Sequence, residues 1–252
     1  MLPGECARAG VLLSIFGAVM TGCGLLSPKD GIDRDSNTEA QVRARSCGDD
    51  DEPEQNVKLD LIRQIMDSGK LYAALAHLDN THSSSLQAAY LRAEILRRTD
   101  HADRAETFYR KLLKSCLAGR GYHGLGLIAG KKQRINEAIY YLQKAADELP
   151  VDLRVRNDLG YALLLDGRFD SAREEFLTVL ELDGGDRLAA SNMILLLSMM
   201  GKEQELRVFS EYLHIDAETV AQLQVQAEGI KESMKGKRGK RKEERDLAGQ
   251  GL

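Results

Sequence analysis

The sequence feature that most constrains the fold is a pattern of apolar and small residues that recurs every 34 positions. Leu125-Gly126 matches Leu159-Gly160 one period later, and Ala138 matches Ala172 in the same alignment. A fixed period of about 20–50 residues is typical of stacked supersecondary units, each of which buries its apolar face against its neighbours. We therefore predict an array of one repeated unit.

The composition indicates that this unit is helical. The 4 prolines lie at positions 3, 28, 53 and 150, so 54–149 and 151–252 contain none. These two stretches are rich in Ala, Leu, Arg and Glu, which are strong helix formers. Gly167 and Gly201 fall where a turn between two helices is expected. The prediction is an all-α chain.

A 34-residue helix-turn-helix period with small residues at the helix crossings resembles the tetratricopeptide repeat (TPR). We expect Gly126 and Gly160 to let the first helix of a unit approach the second closely, with Leu142 and Phe176 filling the space between helices. The resemblance implies a TPR α-solenoid of about four to five units; helical hairpins without TPR geometry are the alternative. The predicted units are 55–82, 86–118, 119–152, 153–186 and 187–214.

The last unit departs from the pattern. Ile194, Leu206 and Ser210 stand where a glycine, an alanine and an aromatic residue are usual. Terminal repeats are commonly atypical because one side faces solvent. After this unit, an apolar stripe that begins at Val220 predicts a C-terminal capping helix, which ends at about Met234.

The N-terminus carries an apolar run at 11–20, which is too short to span a membrane and fits the core of a secretory signal peptide. The run ends in Val19-Met20-Thr21-Gly22-Cys23, which resembles the lipobox of bacterial lipoproteins. The resemblance implies a signal peptide at 1–22, a lipid on Cys23 and an outer-membrane location on the periplasmic side. The alternative is a cytosolic chain with an apolar N-terminus.

The segments that flank the repeats carry opposite charges. Residues 23–56 are predicted to be a disordered acidic tether and 57–234 the TPR domain, while 235–252 are predicted to be a disordered basic tail. The tail either contacts an anionic surface or only aids solubility. Over the whole chain, 35 Lys and Arg against 39 Asp and Glu give a formal charge of −4. Dedicated nucleic-acid binders usually carry a strong basic excess, so we predict no nucleic-acid partner.

No pattern indicates catalysis, a cofactor, a metal or a small-molecule substrate. Residues 119–124 match the letters GxGxxG, but no strand pattern precedes them, as a dinucleotide site requires. These glycines are expected to form the turn between units and open the next helix. The five histidines form no zinc-binding spacing. We predict that the chain is not an enzyme.

Two cysteines remain after the signal peptide and the lipidated residue are set aside. Cys47 and Cys116 either form a disulfide in an oxidising periplasm or remain apart, and a free Cys116 is the favoured alternative.

Partners of a TPR array usually bind along the groove formed by the first helices of the units. Arginine and tyrosine commonly anchor protein interfaces, and an excess of arginine and lysine here favours an acidic or C-terminal peptide. The predicted groove residues are Tyr90, Glu94, Arg98, Arg120, His123, Lys131, Arg154, Asn157, Tyr161 and Ser191, with Leu164 and Leu195 among the other positions expected to be exposed.

The stretch 157–169 and the run 186–192 resemble the TPR lipoprotein of the tight-adherence (Flp) pilus system, the TadD family, and the resemblance covers 119–214. It implies a non-enzymatic lipoprotein scaffold for pilus assembly, with pilotin-like binding of the outer-membrane secretin or other pilus components. The alternatives are a type IV pilotin, a murein-hydrolase adaptor lipoprotein, and a cytosolic TPR chaperone or regulator if Cys23 is not lipidated.

Overall fold

The computed structural model describes the backbone of residues 53–249 and the side chains of residues 53–236. The predicted signal peptide, Cys23 and most of the acidic tether lie outside these residues. The described part consists of helices joined by short turns, without a strand. The helices are α1 (Pro53–Asp67), α2 (Leu71–Thr81), α3 (Leu86–Arg98), α4 (Ala102–Leu112), α5 (Ala118–Lys131), α6 (Ile135–Glu148), α7 (Leu153–Asp166), α8 (Phe169–Leu182), α9 (Arg187–Met200), α10 (Glu203–Tyr212) and α11 (Ala217–Gly249).

The helices form five consecutive pairs, from α1–α2 to α9–α10, which we call units 1 to 5. Each pair packs together, and each second helix packs on the first helix of the next unit. The predicted all-α TPR solenoid is thereby confirmed. The first unit begins slightly earlier than predicted, since α1 starts at Pro53 rather than at residue 55. Proline is tolerated there because the first turn of a helix leaves its backbone N–H groups unpaired.

Local sequence signals explain where several helices begin and end. Asp152 and Asp186 accept hydrogen bonds from backbone N–H groups in the first turns of α7 and α9. Gly167 and Gly201 end the same two helices in the left-handed conformation, with φ of 84° and 70°. Glycine adopts this conformation without strain. The two predicted turn glycines are confirmed.

Close packing of the two helices in a unit depends on glycine, as predicted. A Cβ atom at Gly160 would lie 2.6 Å from Cε1 of Phe176, and one at Gly126 would lie 2.6 Å from Cγ of Leu142. Both large side chains are buried. They occupy the space that the glycines leave free. In unit 5 the large side chain lies on the first helix and the small one on the second. Ile194 and Ser210 stand at the equivalent positions, and both are buried.

The glycines at 119–124 lie inside α5, not in a turn between units as we expected. A Cβ atom at Gly124 would lie 2.2 Å from the ring of Tyr109, and one at Gly119 would lie 2.6 Å from Leu149. Helix α5 therefore packs closely against both the preceding α4 and its own partner α6. These two close contacts explain why the segment 119–124 is rich in glycine, so nucleotide binding is not needed to explain its sequence.

Helix α11 is longer than the predicted capping helix. It continues beyond Met234 to Gly249, into the segment predicted to be disordered. The lysines, arginines and glutamates of that segment favour helix, which explains the extension. The helix packs on α9 rather than mainly on α10, where the first helix of a further unit would lie. It therefore turns back onto the first helices of the units.

Cys116 is disulfide-bonded, so the favoured expectation of a free thiol is wrong. Its partner lies outside the described residues, which contain no second cysteine. Pairing with Cys47 stays a prediction. Among residues 53–249, no helix is both long enough and apolar enough to cross a membrane.

Replacing Gly160 with alanine should destabilise the fold by about 1–3 kcal/mol, because the added methyl group overlaps the buried ring of Phe176. Gly130→Ala is the matched control, since a Cβ atom there would meet nothing closer than 3.9 Å. The control should raise stability by up to about 1 kcal/mol through helix propensity. Urea unfolding followed by circular dichroism measures both. Equal stabilisation by the two alanines would contradict the packing explanation.

Candidate partner-binding groove

The first helices of the units form the candidate groove, and polar pairs connect them at a constant offset. Nε2 of His123 lies 2.7 Å from Oδ2 of Asp158, which joins α5 to α7. Nδ2 of Asn192 donates to Oδ1 of Asn157 at 2.9 Å, which joins α9 to α7. Each pair spans 35 residues. The same side of each first helix therefore faces its neighbour in the next unit.

Glu94 is the acceptor of a network on α3 and α4. Nη2 of Arg97 donates to Oε2 of Glu94 at 2.8 Å, and the Tyr109 hydroxyl donates to the other carboxylate oxygen. Nε of Arg97 also donates to the Tyr109 hydroxyl at 3.2 Å. The Glu94 side chain is only 15% exposed. These contacts hold Glu94 within the protein.

The charge of Glu94 is maintained despite burial. Burial raises the pKa of Glu94, but the Arg97 charge and the hydrogen bonds from Arg97 and Tyr109 outweigh it, so the pKa lies below its ordinary value of 4.5. Burial and the Glu94 charge raise the pKa of Tyr109, which stays protonated and able to donate. The result is a charged carboxylate with its donors already in place.

Arg120 joins units 2, 3 and 4 across the groove. Its guanidinium lies over the ring of Tyr90, 5.8 Å from the centroid, and Nη1 lies 3.6 Å from Oδ2 of Asp152. Burial and the charge of Glu94 raise the pKa of Tyr90, although Arg120 and Arg154 oppose the shift. Tyr90 and Arg120 thus form a cation–π pair on the groove surface.

Several predicted groove cations are paired within the protein. Nη2 of Arg98 donates to the backbone carbonyl of Met66 at 3.3 Å, at the end of α1. Lys131 forms an ion pair with Asp100 of unit 2. Arg154 has an ion-pair contact only at 4.0 Å, to Asp152, and its side chain is 74% exposed. Among the predicted cations, Arg154 is therefore the one most available to a partner.

Three residues predicted to be exposed are buried. Asn157 is 3% exposed because it pairs with Asn192 between helices. Leu164 and Leu195 are also buried, in the core cluster that includes Ala227 of α11. Helical periodicity placed these residues on the groove side, but it did not predict that another helix packs there. The Ser191 hydroxyl is also engaged, because it donates to the carbonyl of Arg187.

Tyr161 and Lys131 line a cavity of about 720 Å³ between the groove and α11. Gly126 and Leu165 belong to its groove wall, and α11 contributes the opposite wall. Sequence reasoning did not anticipate this cavity. The sequence of α9 contains one signal for it. Apolar residues occur on all sides of this helix, so other helices must pack against every side of it.

The comparisons with known proteins agree with this architecture. The sequence matches the tetratricopeptide repeat family over residues 131–193. It is 34% identical to a TPR repeat-containing protein of Pseudomonas aeruginosa over 220 residues, which cover 87% of this chain and 84% of that protein. The chain belongs to the TPR repeat-containing proteins. It is a protein-interaction scaffold of a fold that is typically non-catalytic, and TPR proteins bind peptide or protein partners.

Two solved structures share the fold at low sequence identity. PilF of Pseudomonas aeruginosa is 20% identical, with a TM-score of 0.57 over 71% of this chain and 88% of that one. YrrB, described as a TPR protein with an unusual peptide-binding site, is 22% identical, with a TM-score of 0.50 over 73% of this chain and 95% of that one. These likenesses concern the fold alone.

Glu94→Gln should lower stability at pH 7 by about 1–3 kcal/mol, because the charge-assisted bonds from Arg97 and Tyr109 weaken. The folded pKa of Glu94 is lowered, so its stabilisation is present above pH 4.5 and is lost as the pH falls through the folded value. The stability difference between wild type and variant should therefore shrink below pH 4.5. Urea unfolding at a series of pH values measures it.

Glu181→Gln is the control for this experiment, because it removes a carboxylate at an exposed position near the end of α8. It should leave the pH dependence of stability close to that of the wild type. If the stability of Glu94→Gln depended on pH in the same way as that of the wild type, the buried network would not hold a charged carboxylate.

Proposed function

We propose that this chain is a lipid-anchored TPR scaffold on the periplasmic side of the outer membrane, where it assists assembly of a tight-adherence (Flp) pilus. In this role it binds the outer-membrane secretin or another pilus component, as a pilotin does. The lipid on Cys23 holds the units near the membrane, and the groove binds the partner. No catalytic step is required.

The main support for this proposal is the set of side chains that the groove presents in units 2 to 4. It presents Tyr90 and Arg120 as a preformed cation–π pair, with Arg154 exposed beside them. Aromatic and arginine side chains of this kind anchor protein interfaces. Acidic residues on a partner suit Arg154, although most other groove cations are paired internally.

The N-terminal sequence supports the location. The run at 11–20 and the lipobox-like residues at 19–23 fit a lipoprotein signal, and a mature bacterial lipoprotein carries enough acyl chains for a stable anchor. The fold likeness to PilF agrees with a pilus-related role. A type IV pilotin or a murein-hydrolase adaptor would use the same anchor and the same groove, so partner identity separates them.

Metabolic labelling with palmitate tests the anchor. Wild-type protein should incorporate the label and fractionate with the outer membrane. Cys23→Ser should lose the label, because the thiol that accepts the lipid is absent. Cys47→Ser is the matched control and should be labelled like the wild type. Equal labelling of wild type and Cys23→Ser, or no labelling of the wild type, would contradict a lipid on Cys23 and favour the cytosolic alternative.

Affinity capture from envelopes, with quantitative mass spectrometry, tests the groove and the partner. Wild-type protein should recover a secretin together with pilus components, and Arg154→Glu should lower that recovery about tenfold because it reverses an exposed interface charge. Arg104→Glu makes the same charge change at an exposed position of α4, outside the first helices, and should recover the partner normally. Recovery of murein hydrolases alone would refute the pilus assignment.

A further inference from the structure

Helix α9 is covered on every side, unlike an ordinary groove-lining helix. Its residues 192–199 are all buried. A helix at the surface of a domain normally buries one stripe and leaves the opposite face to solvent. The groove side of α9 is therefore already occupied, and α11 is the helix that packs on it.

Helix α11 contacts this surface through a regular apolar stripe. The stripe consists of Val220, Leu223, Ala227, Ile230 and Met234, which alternate three and four positions apart. Such spacing keeps residues on one side of a helix that packs against another helix. Ala227, in the middle, is 0% exposed, and the other four are partly buried in the same cluster.

Four methionines belong to, or pack against, the core cluster that α11 joins. Met193 and Met199 of α9 are buried, and Met200 and Met234 pack against the same cluster.

The fit of α11 becomes looser towards its second half. Ile230 and Met234 face the cavity of about 720 Å³ and do not fill the space above α5 and α7. Asp158 and Asp166 line this end of the groove, where they are paired with His123 and Arg168. In α11 itself, basic residues follow the stripe from Lys235 onward.

We propose that α9 and the adjoining part of α7 form a helix-binding groove, and that α11 is an intramolecular occupant that a partner helix replaces. The partner segment is an amphipathic helix with apolar residues at the α11 spacing. It carries a small residue at the position of Ala227. This inference rests on the proposed function in that the groove binds a protein partner, and it specifies what that partner presents.

The connection of α11 to the units allows such replacement. Only residues 213–216 join it to α10, and it does not belong to the 34-residue repeat. When α11 occupies the groove, an external helix binds only to the fraction of molecules in which α11 has left. Its apparent affinity falls in proportion to that fraction.

The experiment uses the full chain with Ala227→Glu, which places a carboxylate where the side chain is fully buried and should release α11. Val225→Glu is the matched control, because Val225 is 74% exposed on the same helix. Hydrogen exchange should show loss of protection at 217–234 in Ala227→Glu but not in Val225→Glu, with α1 to α10 still protected. Leu223→Glu, at a partly buried stripe position, provides a second, milder release.

A fluorescent peptide with the wild-type sequence of residues 217–236 then reports on the vacated groove. Fluorescence anisotropy should give at least about tenfold tighter binding to Ala227→Glu than to wild type or Val225→Glu, because the competing helix has been released. The same peptide with glutamate at the position of Ala227 should not bind. Neither measurement needs a lipid, a secretin or a pilus.

Four outcomes would overturn the proposal. Loss of protection throughout α1 to α10 in both release variants would make α11 an integral part of the core. Release of α11 without peptide binding would show that the surface does not accept a helix from outside. Equally tight binding of the peptide to wild type and to Ala227→Glu would show that the peptide binds at another surface. Formation of a dimer in which two copies exchange α11 would show that the groove binds a second copy of this chain rather than a different partner. Failure of Cys23 labelling or secretin capture would leave these results intact.

Discussion

In units 3 and 4, at the centre of the stack, the contact between a glycine on the first helix and a large side chain on the second sets the spacing of the two helices. Gly160 faces the ring of Phe176, and Gly126 faces Leu142, each without room for a methyl group. Because this spacing repeats, equivalent positions on successive first helices lie side by side. The bonds between His123 and Asp158 and between Asn157 and Asn192 follow from that repetition.

The same repetition limits what the groove offers to a partner. Lysine and arginine side chains on one unit reach acceptors on the neighbouring unit, as Lys131 reaches Asp100 and Arg98 reaches the carbonyl of Met66. These pairs stabilise the stack but reduce the free positive charge. Arg154 therefore carries most of the free positive charge of the groove, and α11 covers the apolar surface of α9.

How far the sequence predicted the molecule depends on the range of the interactions. The five units and the turns at Gly167 and Gly201 were predictable because periodicity and turn chemistry act within one unit. The predicted groove residues all lie on first helices of the units, but their pairing was not predicted. Asn157 is an example, since its partner Asn192 lies 35 residues away on another helix. The apolar stripe of α11 was recognised as well, whereas the surface that it covers was not.

By itself, the sequence determined the helical repeat, its period and the small residues at the helix crossings, because these features depend on neighbours within about one period. Only the tertiary structure decided that α11 turns back onto α9 and that the glycines at 119–124 pack between two helices. An amphipathic stripe specifies that a helix must bury one side, but several apolar surfaces satisfy that requirement. The choice among them depends on how the assembled units expose α9, which no local pattern records.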